Sequence, residues 1–469
     1  MPQPKELKLF ALVMISITAV MSLSSIAYMA TIGLQNVAFF AFAALLFFVP
    51  SALISAELGG MLTSNNGGVY TWVSTAFGKN SGLIAIWMEW FNNVIAAPAN
   101  IAPMVATFAY VGFPTLAHNA TAMFFLLLLV TWAMTFFNFL PIGKVAILSV
   151  VGGVFGMILP GVLLISCAIY WVISGAPLQV SFSTTSDWVP VASFATFALL
   201  VKVLGSYSGI QAVSFHTRNI KNPRVNVPIS MLITVIIIFC VTTLASVSLA
   251  AIVPSADRNA LNGLIQAIAV VMHRLNLDWV AQIISLFVCV GMLAAASIWI
   301  LSPARGMQEV AIQGMVPKIF AKTNKHGMPI GVLLIQAVIC SLLATLFLLM
   351  PSVEAAFAMI IALTSQFTVM MWILVFVSAI RLRYVAKDME RPFRIGKTGN
   401  GAMIFWATLG IIACSCGFFL GLFPPKFSHV QNIAGYVSLM IIADIIIIAI
   451  PFAYIKYRKL LFNLNNRNY

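Results

Sequence analysis

Lys202-Val-Leu-Gly-Ser-Tyr-Ser-Gly-Ile-Gln211 interrupts an otherwise apolar stretch of chain, and its reading decides the fold. Gly205 and Gly209, with Ser206 and Ser208, lower helix propensity across the segment. A helix that opens there leaves backbone groups unpaired. In hydrocarbon such groups are tolerated only where a protein-lined cavity or a ligand satisfies them. The interruption therefore points to a binding site within a membrane.

The rest of the chain supplies that membrane context. Of 469 residues, 62% are hydrophobic and 8% are charged. The apolar surplus falls in blocks of about 20 residues, the length that crosses a hydrocarbon core. A water-soluble domain is excluded. Polar, proline and glycine punctuation divides the chain into about twelve spans, near 9–33, 37–61, 82–112, 120–139, 143–174, 191–216, 228–253, 279–303, 328–350, 355–380, 402–423 and 433–455. The expected fold class is an all-α polytopic membrane protein. Residues Asn259 to Asn276 read as an amphipathic helix lying on the outer surface.

A formal net charge of +14 would suggest a nucleic-acid partner in a soluble chain. Here the placement of the charges gives another reason. With the N-terminus cytoplasmic, 21 of the 25 lysines and arginines fall in inner loops and tails. Arg258, Arg274 and Lys426 are outside, and Lys202 alone lies within a span. The positive-inside rule then puts residues 1–8 and 456–469 in the cytoplasm, with lipid and not nucleic acid as the surrounding partner. All six cysteines sit in apolar segments without metal-ligand spacing and read as buried filler.

Span one offers a counterpart to the opening segment at Ile17-Thr18-Ala19-Val20-Met21-Ser22, followed by Ser24 and Ser25, although no glycine is present there. Interrupted helices at matching places in two halves point to an inverted-repeat transporter. The repeats would be residues 9–174 and 191–380, with 402–455 forming two peripheral helices.

Several further motifs resemble the amino acid-polyamine-organocation superfamily, and within it the bacterial glutamate/GABA antiporter group. They are Asn222-Pro-Arg-Val-Asn-Val-Pro228 after Gly209, Ser302-Pro-Ala-Arg-Gly-Met307, Glu57-Leu58 with Gly67-Gly-Val-Tyr-Thr-Trp72, and Phe320 through Pro329. The resemblance implies a LeuT-like fold of five plus five helices and two peripheral ones. It also implies amino-acid exchange by alternating access in a bacterial inner membrane. Carried over by position, Ile17 to Ser22 would offer backbone N–H groups to a substrate carboxylate. Gly205, Ser206, Tyr207 and Ser208 would receive its ammonium, with Tyr207 as an aromatic wall, and Trp299 would line the pathway. The implied ligand is an amino acid, and the partner in exchange its decarboxylation product. No metal, organic cofactor or ATP is expected.

Two positions depart from that pattern. Gln211 stands where many relatives have glutamate, and Ala295 where the glutamate/GABA group has an acid. Neither can carry a proton. Lys202 and Glu89 are thus the charged candidates for gating or proton coupling, since intramembrane ionisable residues are costly and usually functional, and Gln211 joins them as an uncharged gating candidate beside the break. Glu57 reads as a gate or loop anchor, and Asp444 as an interhelical or subunit contact. The residues leave open an antiporter, a proton-coupled symporter or a non-transporting sensor, and equally a monomer or a homodimer. An enzyme is disfavoured, because no H-E-x-x-H helix, Walker loop or G-x-S-x-G elbow is present.

Overall fold

The computed structural model of the protein describes residues 7–63, 67–112, 120–183, 187–189, 203–258, 262–345, 353–423 and 433–465, with positions 200 and 348. Among these residues the secondary structure is helical, apart from one isolated parallel bridge between Leu7 and Ile220. Among the described residues seven helices are long and apolar enough to cross a membrane, and a bent pair makes an eighth. The remaining expected spans are shorter helices or helices described only in part. Lys202 lies outside the described residues.

Span one is the bent pair. Leu9–Val20 and Leu23–Ala30 meet at 42° across Met21 and Ser22. The break needs no glycine because Ser22 supplies the cap: it is extended, and its hydroxyl accepts from the backbone N–H of Ser25 at 3.2 Å. Span two, Gln35–Met61, carries a π-helical turn over Ala44–Phe48. A short helix, Val69–Phe77, precedes span three, Lys79–Gly112. The hydropathy pattern gave no sign of that short helix, whose nine residues cannot cross a bilayer. Pro98 in span three removes one backbone donor. The Val94 carbonyl one turn earlier instead accepts from the Cys340 thiol of span nine, at 3.3 Å.

Spans four and five are Ala120–Phe137 and Ile142–Ile173, the latter with a π-helical stretch at Gly152–Ile158. That stretch brings span five onto span eight, Asp278–Ile312, so closely that Gly156 and Gly291 meet backbone to backbone. Span seven is Pro223–Ile252, and the amphipathic stretch after it forms the helix Gly263–Arg274. Its Leu264, Ile265, Ile268 and Val271 are buried. Spans nine to twelve are Ile330–Ala344, Val353–Val385, Gly401–Gly421 and Ile433–Asn465. The last runs past residue 455, so most of the expected C-terminal tail is helix.

Alternate connections gather at opposite ends of the bundle. At the basic end, Leu7 pairs with Ile220, Tyr70 donates to Gln313 at 2.6 Å, and Asn324 donates to the Phe139 carbonyl at 2.7 Å. Glu57, at the end of span two, is buried there. It accepts from Arg383 Nη2 at 2.6 Å and from the Ile395 N–H at 2.8 Å, with Arg391 3.2 Å away. Glu57 thus anchors the loop between spans ten and eleven. At the other end Arg258 donates to the carbonyls of Ala30, Ala250 and Val253, the last two closing span seven. Burial pulls the pKa of this guanidinium below the usual arginine value.

The outer surface of the bundle is apolar, with Phe125, Leu129, Ile236, Leu342 and Ile445 exposed. This surface corrects one expectation. Cys167, Cys340 and Cys414 are buried, but Cys240 and Cys416 are exposed. In a membrane an apolar side chain has two suitable surroundings, core and lipid, so hydropathy alone does not separate them.

Candidate substrate cavity

Span six is described from residue 203. Residues 203–206 are helical, 207–209 form a turn, and a 3-10 helix runs over Ile210–Asn219. The opening therefore falls within Gly205 to Gly209, as the sequence led us to expect. Gly209 has φ +117°, a conformation that side-chain-bearing residues rarely adopt. Its position is also crowded: a Cβ there would lie 2.8 Å from the Trp299 ring and 2.9 Å from the Ala19 carbonyl oxygen. Glycine is required on both counts.

Between the breaks of spans one and six lies a cavity of about 100 Å³. Span one contributes Ala19, Val20 and Ser22, span six Gly205, Ser206 and Ser208, and span eight Trp299. Trp299 also donates its indole N–H to the Ala19 carbonyl at 2.9 Å, which ties spans one and eight together beside the break. Ser208 receives the Trp372 indole N–H at 3.4 Å.

Four of the expected residues lie elsewhere. Thr18 turns away to donate to the Ser149 carbonyl of span five at 3.0 Å. Ile17 is core, and its carbonyl accepts from the Met21 N–H at 2.7 Å. The Met21 side chain reaches toward Gly161 of span five. Tyr207 does not line the cavity but stacks on Phe48 of span two, with ring centroids 4.4 Å apart and planes 5° apart. At a turn the direction of a side chain follows from no helical period, and the flat aromatic face finds its partner across the break.

The sequence reading missed the opposite wall. Asn92, Asn93, Ala96 and Asn100 of span three and Thr364, Ser365 and Thr368 of span ten complete the lining. A signal was present, since amides and hydroxyls recur at near-helical spacing in the middle of two apolar spans. Asn92 is buried, and its Oδ1 has no partner among the described residues. The cavity thus presents hydroxyl, amide and backbone groups beside one indole, and none of its lining side chains is charged.

Glu89 and Gln211 sit just beyond the lining and join two of its walls. The Glu89 side chain is buried, and its Oε1 accepts from Gln211 Nε2 at 2.8 Å. Gln211 Oε1 in turn accepts from the Gly209 N–H at 2.9 Å. Asn93 donates to the Glu89 backbone carbonyl at 2.7 Å. Asp444 is likewise buried in span twelve, on the side facing the bundle.

The sequence pattern of the amino acid permease family matches residues 7–450. The chain belongs to that family, and it is an integral membrane amino-acid transporter. An uncharacterized transporter of Legionella pneumophila is 32% identical over 453 residues, covering 96% of this chain and 97% of the relative. A glutamate/gamma-aminobutyrate antiporter of Lactococcus lactis is 27% identical over 412 residues, covering 87% and 82%. Among solved structures, a manganese transporter mutant of Eremococcus coleocola matches with a TM-score of 0.55 at 11% identity, covering 96% and 94%. The fold is of the LeuT type.

Proposed function

We propose that the protein is an amino-acid exchanger of a bacterial cytoplasmic membrane, working by alternating access around the cavity between spans one and six. The observation that carries this reading is the pair of helix breaks facing one another across a polar cavity within the bundle. The N–H groups of Leu23 and Ser24 begin a helix and have no partner within it, so they suit a substrate carboxylate. Carbonyls around Gly205 to Ser208 suit the ammonium. Residues 9–174 and 191–380 act as the two inverted repeats, and residues 402–455 lie outside them. The basic end, with both chain termini, faces the cytoplasm.

In the arrangement described, the basic end is sealed. Leu7 pairs with Ile220, and the Phe215 ring is wedged between Gly68 and Gly306. Opening toward the cytoplasm requires these contacts to part while the scaffold of spans three, five and eight stays in place. Exchange, in place of net uptake, draws support from the named antiporter relative. The uncharged lining favours a zwitterion with an uncharged side chain.

Counterflow in proteoliposomes tests the proposal. Vesicles are loaded with single unlabelled amino acids or their decarboxylation products, and entry of labelled amino acids is followed with and without a pH gradient. Entry that depends on one internal partner supports exchange and identifies the pair. Uptake into empty vesicles driven by the pH gradient replaces it with proton symport. Saturable binding without flux makes the chain a sensor.

A further inference from the structure

Glu89 is the buried acid that the binding geometry does not use. It is 1% exposed, at mid-bundle, one helical turn from the cavity residues Asn92 and Asn93. Its Oε1 has one donor, Gln211 Nε2, and its Oε2 has no partner among the described residues. A carboxylate in such surroundings ordinarily holds a cation or several donors, because an isolated buried charge is among the most costly groups a protein can contain. Glu89 has neither.

Among the described residues, the cationic groups on the packed elements are engaged elsewhere or lie at a bundle end, and Lys202 of span six lies outside those residues. In span six, His216 faces Ser302 at 3.2 Å. On span eight, Arg305 reaches the Met328 sulfur at 3.6 Å, Glu309 lies near the basic end, and Asp278 pairs with His273 at the other. On span ten, Arg383 is committed to Glu57, and Arg381 stacks on the Phe77 ring with a 4.6 Å separation. Tyr70 of the short helix before span three donates to Gln313. Asp444 of span twelve is a second buried acid, and Arg458 of the same helix contacts Gly314 and Met315. Spans four and nine bring no charged side chain. A neutral carboxylic acid fits this environment, with its O–H on Oε2 and the carbonyl-like Oε1 receiving the amide of Gln211.

The connection to transport runs through Gln211. The same side chain that donates to Glu89 accepts from Gly209, the residue at the break of span six. Motion of the inner half of span six relative to span three would carry Gln211 away from the carboxyl and admit water. We propose that Glu89 is a proton carrier of the transport cycle, holding its proton while the basic end is sealed and releasing it to water when span six moves. In that step the O–H bond of the acid breaks, the electron pair stays on the carboxylate, and water becomes hydronium. The return to the sealed arrangement reverses the transfer. This inference rests on the transport reading above and assigns its coupling group.

Two measurements test it. The first needs no substrate: infrared spectra of the purified protein in lipid, recorded from pH 5 to 9 for wild type and Glu89→Gln. A protonated-carboxyl band present at neutral pH and missing from the variant is expected. Identical carboxyl bands in the two proteins overturn the proposal. The second is entry of labelled serine, glutamine, alanine and glutamate into proteoliposomes preloaded with a single unlabelled amino acid or its decarboxylation product, under a gradient of about one pH unit, worth up to about tenfold accumulation where one proton moves per exchange. Glu89→Gln is expected to keep exchange above that of empty liposomes while losing the stimulation by the gradient, and Glu89→Asp to restore part of it. Stimulation in Glu89→Gln equal to that of wild type overturns proton carriage. If wild type moves none of the four probes while the infrared band is present, the transport reading fails at these substrates and the protonated acid stands.

Discussion

Replacing Gly209 with alanine tests how closely spans one, six and eight must meet. The added methyl would enter at 2.8 Å from the Trp299 ring and 2.9 Å from the Ala19 carbonyl oxygen, on a backbone with φ +117°. The backbone region alone costs a non-glycine residue about 1–3 kcal/mol. Overpacking a filled contact costs about as much again, so the sum is roughly 2–6 kcal/mol. Gly175→Ala is the uncrowded reference for a positive-φ alanine, because Gly175 has φ +68° and no neighbour within 4 Å of an added methyl. Thermal midpoints in detergent, read by size exclusion after heating, should rank wild type above Gly175→Ala and Gly175→Ala well above Gly209→Ala. Adding Trp299→Phe to Gly209→Ala should recover part of the loss by removing the ring edge that the methyl meets, even though it forfeits the indole bond to Ala19. Counterflow should fall at least tenfold in Gly209→Ala, the equivalent of about 1.4 kcal/mol. A Gly209→Ala protein as stable as Gly175→Ala and as active as wild type would show that the three spans do not meet at this point, and the cavity geometry would fall with it.

Glu57→Gln should destabilise the protein by about 3–5 kcal/mol, because it strands a buried Arg383 whose side chain is 2% exposed. Pairing it with Arg383→Gln should recover part of that loss in the same thermal assay, and a double variant no better than the single one would deny the ion pair. Ser22→Ala removes the cap of the second half of span one and should lower stability by about 1 kcal/mol, with Ser22→Asn recovering most of it. Equal midpoints for alanine and serine would mean that the break is held by packing alone.

The two breaks were legible in different ways. Span six announces its opening through Gly205 and Gly209, residues whose cost in a helix is intrinsic. Span one conceals the same feature, because a serine cap at Ser22 needs only the neighbouring Ser25 N–H to do what a glycine does. Tyr207 shows the limit of such reading. The sequence places it at the break but cannot say that Phe48 of a distant helix will draw it out of the cavity. The far wall of Asn92, Asn93, Asn100, Thr364, Ser365 and Thr368 was written in the sequence as polar positions inside apolar spans. Convergence of spans three and ten is tertiary information, and no pattern within either span carries it. Lys202, the most conspicuous charge in the hydropathy pattern, lies outside the described residues. Glu89 lies within the described residues, and there Gln211 is its one side-chain donor.

The bond from the Cys340 thiol to the Val94 carbonyl bears on how reporter groups can be attached to this chain. A cysteine-less background is the usual starting point for spin or fluorophore labelling, and the six thiols differ in what their removal asks of the bundle. Cys240 and Cys416 face outward and can be exchanged for alanine with little rearrangement. Cys340 supplies the donor that Pro98 withholds from its own helix, so alanine there would leave a carbonyl unpaired in the middle of span three. Serine keeps a donor at that position and is the replacement on which a labelling scaffold should be built.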